Sequence, residues 1–273
     1  MKKIIKKIIL KIARLSGATK TGRYIETLLL EQAMKHTRRV VHDNTEMMFV
    51  CPNPLTRWRA DTFSEKEPET LSWIDGMTRK SIFWDVGANV GLYSIYAAKR
   101  RNLRVFSFEP SIFNLELLGR NISLNALSQK ITIVPVALSD QTKPNLMKHS
   151  QTTWGGALSS FGVTFDDSGN LYKSIIEYDT LGFTADYLVY QGLVAQPDYI
   201  KIDVDGIEHL ILSGARNILM SAKSLLVEIN DNFSEQAEIT EGILRGAGFS
   251  LEEKRRSKYE DNLIFNQIWV KHV

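Results

Sequence analysis

Two acids and two glycines, set at the ends of neighbouring apolar runs, carry the strongest chemical signal in this chain. The first run is Ile82-Phe83-Trp84-Asp85-Val86-Gly87-Ala88-Asn89-Val90-Gly91-Leu92-Tyr93-Ser94. Apolar strand residues pass into a glycine turn, and helical spacing follows. Gly87 and Gly91 lack a Cβ, so the chain can turn sharply there and a ligand can approach the backbone. Asp85 stands at the carboxyl end of the strand, where open α/β sheets bind ligands, and a carboxylate there suits an ammonium. The second acid, Glu109, closes Val105-Phe106-Ser107-Phe108-Glu109-Pro110 eighteen residues beyond Gly91. An acid at this spacing can bind both hydroxyls of an adenosine ribose.

That ribose is common to NAD and S-adenosylmethionine. The turn reads G-A-N-V-G rather than G-x-G-x-x-G, and the acid just ahead of it would repel a pyrophosphate but attract a methionine ammonium. S-adenosylmethionine is therefore the expected cofactor. An NAD-dependent oxidoreductase is the alternative, as is a glycine turn beside an exposed Glu with no ligand at all.

A second concentration of ionisable groups follows a later apolar run: Asp203-Val204-Asp205-Gly206-Ile207-Glu208-His209. Methyl transfer needs the acceptor aligned with the methyl, and an acceptor that carries a proton needs a base to take it. Asp203 is the first expectation for that work, with Asp205, Glu208 and His209 as alternates. Glu228, with Asn230, ends the next run and could line the same cleft. Plain structural readings stand beside these. Glu208 and His209 could simply open a helix, where an acid suits the dipole, Glu228 could pair with a nearby base, and His149 is expected to be solvated. Asp203, Asp205, Glu228 and Asn230 are oxygen donors that Mg²⁺ or Ca²⁺ accepts, but their spacing requires no metal and none is expected. No Cys/His cluster has zinc spacing. The single cysteine, Cys51, cannot form an internal disulfide and suits a reducing compartment.

The elements that must position these groups are legible from residue 81 onward. Short apolar runs at Ile82–Val86, Val105–Phe108, Ile131–Ala137, Tyr199–Val204 and Leu225–Ile229 alternate with helical segments at Leu92–Arg100, Ile112–Leu127 and Gly206–Ala222. Such runs suit parallel strands covered on both faces, and the alternation predicts an α/β, doubly wound sheet. Phe249–Arg256 and Asn266–Val273 are two further strand candidates near one edge. The stretch 140–185, with Trp154-Gly155-Gly156, is expected to be an inserted β-hairpin or loop that shapes a pocket. Upstream, Val40–Val50 suggests a strand pair turning near Asp43–Asn44, and Glu67–Ile74 a short helix after Pro68.

Charge divides the chain. Residues 1–39 hold eleven Lys/Arg and two Glu, whereas the remainder holds 23 basic and 29 acidic residues. The mildly acidic body argues against a nucleic-acid partner. The opening MKKIIKKIILKIARLSG places isoleucines at helical spacing among lysines, an amphipathic helix too interrupted to span a bilayer or act as a signal peptide. It is expected either to lie on an anionic membrane surface through residues 1–15 or to pack on protein, with a second helix over 21–39. The expected organisation is a helical extension over 1–39 and a domain over 40–273 whose core begins near 81.

At its chemical residues the chain resembles the FkbM-type methyltransferase family. The resemblance rests on Asp85-Val86-Gly87-Ala88-Asn89-Val90-Gly91, Phe108-Glu109-Pro110, Val136-Ala137-Leu138-Ser139-Asp140 and Pro197-Asp198-Tyr199-Ile200-Lys201-Ile202-Asp203-Val204-Asp205-Gly206-Ile207-Glu208. It covers roughly residues 55–250. One departure is visible: Asp205 stands where the family commonly has Glu. The resemblance implies a class I, Rossmann-like methyltransferase fold, S-adenosylmethionine as donor, and a hydroxyl on a sugar or another secreted or cell-surface metabolite as acceptor. It implies that Asp85, Gly87, Asn89 and Gly91 hold the methionine end, that Glu109 binds the ribose, and that Ala137 and Ser139 flank the adenine. The expectation is thus an O-methyltransferase acting on a glycan or small hydroxylated acceptor, placed in the cytoplasm or peripherally at the inner membrane surface. A membrane-surface or partner-binding module without turnover is a third alternative, since fold does not fix function.

Overall fold

The computed structural model describes residues 2–256 and 263–272. Met1 and Val273, the outer ends of the expected first helix and last strand, lie outside these residues. Helices Lys2–Gly17 and Lys20–Ala33 form a hairpin. Thr19 caps the second, its Oγ1 accepting from Gly22 N at 2.9 Å. Gly22 lets the two helices touch: a Cβ there would meet Ser16 O at 1.8 Å. The second helix stops at Ala33, short of residue 39, because residues 37–39 pair as a strand. β1 (Thr37–His42) and β2 (Thr45–Val50) are antiparallel. Asp43 and Asn44, at φ 43 and 61, form the two-residue turn that such a hairpin favours. Helices Pro54–Asp61, Phe63–Lys66 and Pro68–Gly76 follow.

The body is built on β3 (Ile82–Val86), β4 (Arg104–Phe108) and β5 (Ile131–Val134), then an insert of β6 (Ala137–Leu138), β7 (Lys143–His149), β8 (Ser159–Phe161) and β9 (Ile176–Phe183), then β10 (Tyr199–Ile202), β11 (Ser224–Asn230), β12 (Phe249–Arg256) and β13 (Ile264–Lys271). Seven strands form the central sheet in the order β12-β13-β11-β10-β3-β4-β5. Only β13 runs antiparallel to its neighbours. The chain winds outward from β3 through β4 to β5, then restarts on the other side with β10. The switch point therefore falls between β3 and β10, where such sheets open a ligand crevice.

Three boundaries differ from the sequence reading, each for a tertiary reason. The run Ile131–Ala137 divides, since β5 ends at Val134 and Ala137–Leu138 pairs with β9 in a second sheet. The insert is a four-stranded sheet in the order β6-β9-β7-β8 rather than one hairpin. The helical stretch 206–222 breaks into Glu208–Ser213 and Arg216–Ser221 at Gly214, where a Cβ would meet Ser139 O at 2.3 Å.

Strand periodicity sorts side chains onto two covered faces. Trp84, Phe106 and Ile200 face one core. Phe83, Val105 and Tyr199 face the other, with Ile95 and Tyr96 of helix Leu92–Arg101. Asp85, Ser107 and Lys201 are register partners across β4, β3 and β10. They share the parity of Phe83, and hence the face covered by helix Leu92–Arg101.

Candidate active site

The glycine turn is held in place by its neighbours. Gly87 N and Ala88 N both donate to Phe108 O at 3.0 Å. Gly87 has φ 84, and a Cβ there would sit 1.8 Å from Asp203 O. Only glycine allows β3 and β10 to close so tightly at the crevice. Gly91 at φ 87 serves packing instead, because its Cβ would press on Leu118 at 2.6 Å. Glu109, buried at the tip of β4, accepts from Asn89 N and Ser111 N, each at 2.8 Å. Burial outweighs those amides and raises its carboxyl to about 7. A cavity of about 200 Å³ opens above these residues, lined by Gly87, Asn89, Glu109 and Ala137 on one side and by Asp203, Asp205 and Glu228 on the other.

Asp85 does not face this cavity, contrary to the expectation that it meets a methionine ammonium. It is 1 % exposed, and Ser94 Oγ donates to its Oδ2 at 2.5 Å and contacts Ser107 Oγ at 2.7 Å. Its Oδ1 has no hydrogen-bond partner among the described residues. The physical reason is register: one residue further along, Val86, points to the cavity face instead. Burial raises the Asp85 carboxyl, with Lys201 opposing.

Lys201 is the centre of a buried charge network. It is 1 % exposed, its Nζ lies 2.6 Å from Asp203 Oδ2, and the ammonium sits 5.1 Å from the centre of the Tyr93 ring. A second pair lies alongside, Lys66 Nζ to Glu67 Oε1 at 2.7 Å. Burial alone would raise the Asp203 carboxyl, but Lys201 and then Lys66 hold it below the usual carboxylate range. Asp203 is thus a fixed negative charge at the cavity wall.

The pattern that describes the FkbM methyltransferase domain matches residues 85–251, well over half of the chain. The chain belongs to the FkbM methyltransferase family. It is an S-adenosylmethionine-dependent methyltransferase with an α/β fold of the class I type. Among known proteins it is similar to the hexuronic acid methyltransferase AglP of Haloferax volcanii, at 24% identity over 265 residues that cover 94% of this chain and 97% of the relative. Among solved structures, the methyltransferase FkbM of Methylobacillus flagellatus aligns at a TM-score of 0.49 and 18% identity, covering 91% of this chain and 59% of that one. M. jannaschii TYW2 in complex with AdoMet aligns at 0.45 and 11% identity, covering 86% and 87%.

The residues of this FkbM methyltransferase fit that donor. Glu109 has lone pairs left for a ribose diol, Gly87 lines the cavity beside it, and Asn89 Oδ1 is a buried acceptor without a partner among the described residues. Asn89 Nδ2 and Asn114 Nδ2 both donate to Gly156 O, at 2.9 and 3.1 Å, and Gly155 N donates to Asn114 Oδ1 at 3.0 Å. Those bonds fasten the glycine-rich insert across the cavity.

The other acids divide by environment. Asp205 lines the cavity at φ 62, and its Oδ2 accepts from Leu158 N at 2.7 Å and Ser159 N at 3.2 Å. Burial and then Asp203 push its carboxyl up to about 7. Glu208 is not in the cavity wall. It is 1 % exposed, accepts from Val204 N at 3.1 Å and Gly206 N at 3.2 Å, and is bound by Gln236 Nε2. It organises the turn after β10, and burial raises it to about 7. His209 also lies away from the cavity, packed against Phe165 and Phe233, and burial lowers its pKa. Ser139 misses the cavity too, its Oγ donating to Asp140 at 3.1 Å. Asn230 Nδ2 donates to Asp167 O at 3.0 Å, and Asn230 does not line the cavity. His149, expected to be solvated, is 3 % exposed and contacts Tyr178 Oη at 2.9 Å.

Sequence reasoning missed Trp58, Arg59 and Lys66, which line the cavity from upstream helices, and it missed Lys201. A lysine inside an otherwise apolar four-residue strand was a readable signal, because such a charge is buried only with partners. Nothing near Arg59 or Lys66 in the sequence marks them.

Proposed function

We propose that this methyltransferase moves a methyl group to a hydroxyl of an acidic sugar in a glycan or glycan precursor. The observation that carries the reading is the continuity of one cavity. The wall built from Gly87, Asn89 and Glu109 runs past Asp203 directly into a patch of Asp205, Glu228 and Trp58. Carboxylates beside an indole face suit the hydroxyls and the C–H face of a sugar ring. The similarity to a hexuronic acid methyltransferase along nearly the whole chain supports the same acceptor class.

The bound cofactor supplies an electrophilic methyl on a sulfonium. The protein's share is positioning and proton transfer. Asp203, held ionised by Lys201, is a fixed charge at the donor end of the cavity. A permanently ionised acid with a low pKa is a weak base, so proton acceptance falls to Asp205, whose carboxyl titrates at about 7. When an acceptor hydroxyl takes the methyl that a bound S-adenosylmethionine would supply, its proton would pass to the Asp205 carboxylate. Purified protein incubated with methyl-labelled S-adenosylmethionine and hexuronic-acid glycans should label the sugar. No transfer to any sugar hydroxyl, with S-adenosylhomocysteine binding demonstrated by calorimetry, would overturn the acceptor assignment. Tight NAD binding with no response to S-adenosylhomocysteine would favour the oxidoreductase alternative.

A second reading concerns the helical hairpin. Ile4, Ile5, Ile8, Ile9, Ile12 and Leu15 are 49 to 66% exposed, as are Tyr24 and Leu29 at 64%. They do not pack on the body, and Lys3, Lys6, Lys7, Lys11 and Arg14 surround them. No described helix is long and apolar enough to cross a membrane. We read this face as lying on an anionic lipid surface, apolar side in and lysines among the headgroups. Co-sedimentation with phosphatidylglycerol vesicles, absent with phosphatidylcholine and abolished by Ile8→Asp/Ile12→Asp, is the expected result. Equal binding to both vesicle types refutes the electrostatic part.

A further inference from the structure

We propose that Arg59 and Lys66, both upstream of the matched family domain, form a carboxylate clamp for the methionine end of the cofactor, with Asp203 as the partner of its ammonium. The inference does not depend on which acceptor is methylated.

The argument starts from Glu109. With the ribose at the tip of β4, the remainder of the ligand can extend either outward over β5 or inward across β3. The outward direction, past Val136 and Ala137, is an apolar wall suited to an adenine ring. The inward direction crosses Gly87, which lines the cavity and packs directly on the Asp203 backbone, and so reaches Asp203 beyond β10. That path spans two strand spacings, roughly 10 Å, comparable to a ribose plus a methionine chain.

The end of that chain is a zwitterion, so the cavity must offer both signs of charge. The negative side is Asp203, since Asp85 is buried beneath helix Leu92–Arg101 against Ser94. The positive side is Arg59 and Lys66. Together with Gly87, Asn89 and Asp203, these two line both the main cavity and the smaller one that adjoins it over Tyr93 and Lys201. The cations therefore stand where the two cavities join, beside the turn and beside Asp203.

Each cation is held but not used up. Arg59 Nε donates to Gly155 O at 2.7 Å, which fixes the guanidinium plane. Its other two nitrogens have no hydrogen-bond partner among the described residues, and a guanidinium held by one edge presents a fork that matches a carboxylate. Lys66 spends one of its three donors on Glu67 at 2.7 Å, and two remain. The bond from Arg59 to Gly155 also ties this end of the site to the insert that crosses the cavity, so carboxylate binding and the position of the insert are coupled through one side chain.

The test compares S-adenosylmethionine with its decarboxylated form, which keeps the ammonium and lacks only the carboxylate, by calorimetry on the full chain. The wild type should bind the complete cofactor at least 10-fold more tightly. In Arg59→Gln and in Lys66→Gln that preference should fall to about twofold or less, while affinity for the decarboxylated form stays within about twofold of wild type. A preference retained in both variants overturns the clamp and assigns the pair to the acceptor side. Equal weakening of both ligands also overturns it, because the effect then does not reside in the carboxylate. Should Arg59→Gln fail to fold, Arg59→Lys keeps the charge without the fork and is expected to lose part of the preference, and an undiminished preference there counts against the proposal. Failure of the wild type to bind either ligand would instead remove the cofactor reading itself.

Discussion

Replacing Lys201 by methionine tests whether the buried charge network holds the active site together. Lys201 is 1 % exposed, and its ammonium lies 2.6 Å from Asp203. Methionine keeps most of the side-chain volume and removes the charge. Taking one partner out of a buried ion pair costs about 3–5 kcal/mol, because the other charge is left uncompensated. The Asp203 side chain is 25% exposed, so water recovers part of that cost, and about 3 kcal/mol is expected near pH 8. In the wild type the Asp203 carboxyl titrates below its unfolded value. The pairing therefore stabilises above about pH 4 and is lost as pH falls through the folded value. In the variant Lys201 no longer opposes burial, so the carboxyls of Asp203 and Asp85 shift upward, although Lys66 still acts on Asp203 and Ser94 on Asp85. A carboxyl that takes up a proton no longer needs the missing cation, so the penalty should shrink as pH falls. Urea unfolding followed by tryptophan fluorescence at about pH 8 and about pH 5 measures both quantities. Adding Asp203→Leu to Lys201→Met should recover part of the stability, since an apolar pair in place of a buried ion pair is often tolerated. A loss below about 1 kcal/mol, the size of a surface ion pair, or an equal loss at both pH values, would refute the reasoning.

Three other outcomes follow from the same geometry. Asp205→Asn retains an oxygen for Leu158 N and Ser159 N, so stability at pH 8 should hold or rise, whereas kcat should fall about 100-fold or more; the rise of wild-type kcat with pH through about 7 should disappear, and an unchanged pH profile would remove Asp205 as the base. Glu109→Gln leaves one acceptor oxygen where Asn89 N and Ser111 N now use two, and calorimetry with S-adenosylhomocysteine should show a loss of roughly 10- to 100-fold. Wild-type cofactor affinity should increase as pH rises through about 7, and the variant should lose that dependence. Gly87→Ala adds a Cβ 1.8 Å from Asp203 O at φ 84; at about 1–3 kcal/mol for the backbone strain alone, the chain should unfold more readily and bind no cofactor.

The sheet, its glycine turn and the placing of Glu109 were legible along the chain because each depends on neighbours within about twenty residues. Apolar runs bounded by glycine specify strand ends, and a turn that needs positive φ announces itself by residue type. Asp203 and Asp205 could be located for the same reason, as the residues that follow an apolar strand. What linear reading could not supply was direction and company. Asp85 and Val86 differ by one residue and face opposite sides of the sheet, so the acid that looked like an ammonium partner is packed against Ser94 and Lys201. Glu208 and His209 lie within six residues of Asp203, yet the turn through Gly206 at φ 113 sends them behind the cavity wall. Lys66 and Arg59 are separated from Asp203 by more than 130 residues, and no local pattern records that their helices close over the same crevice. Helical and strand periodicity are set by forces between near neighbours, whereas the pairing of buried charges depends on which elements pack face to face. That packing exists only once the sheet has formed.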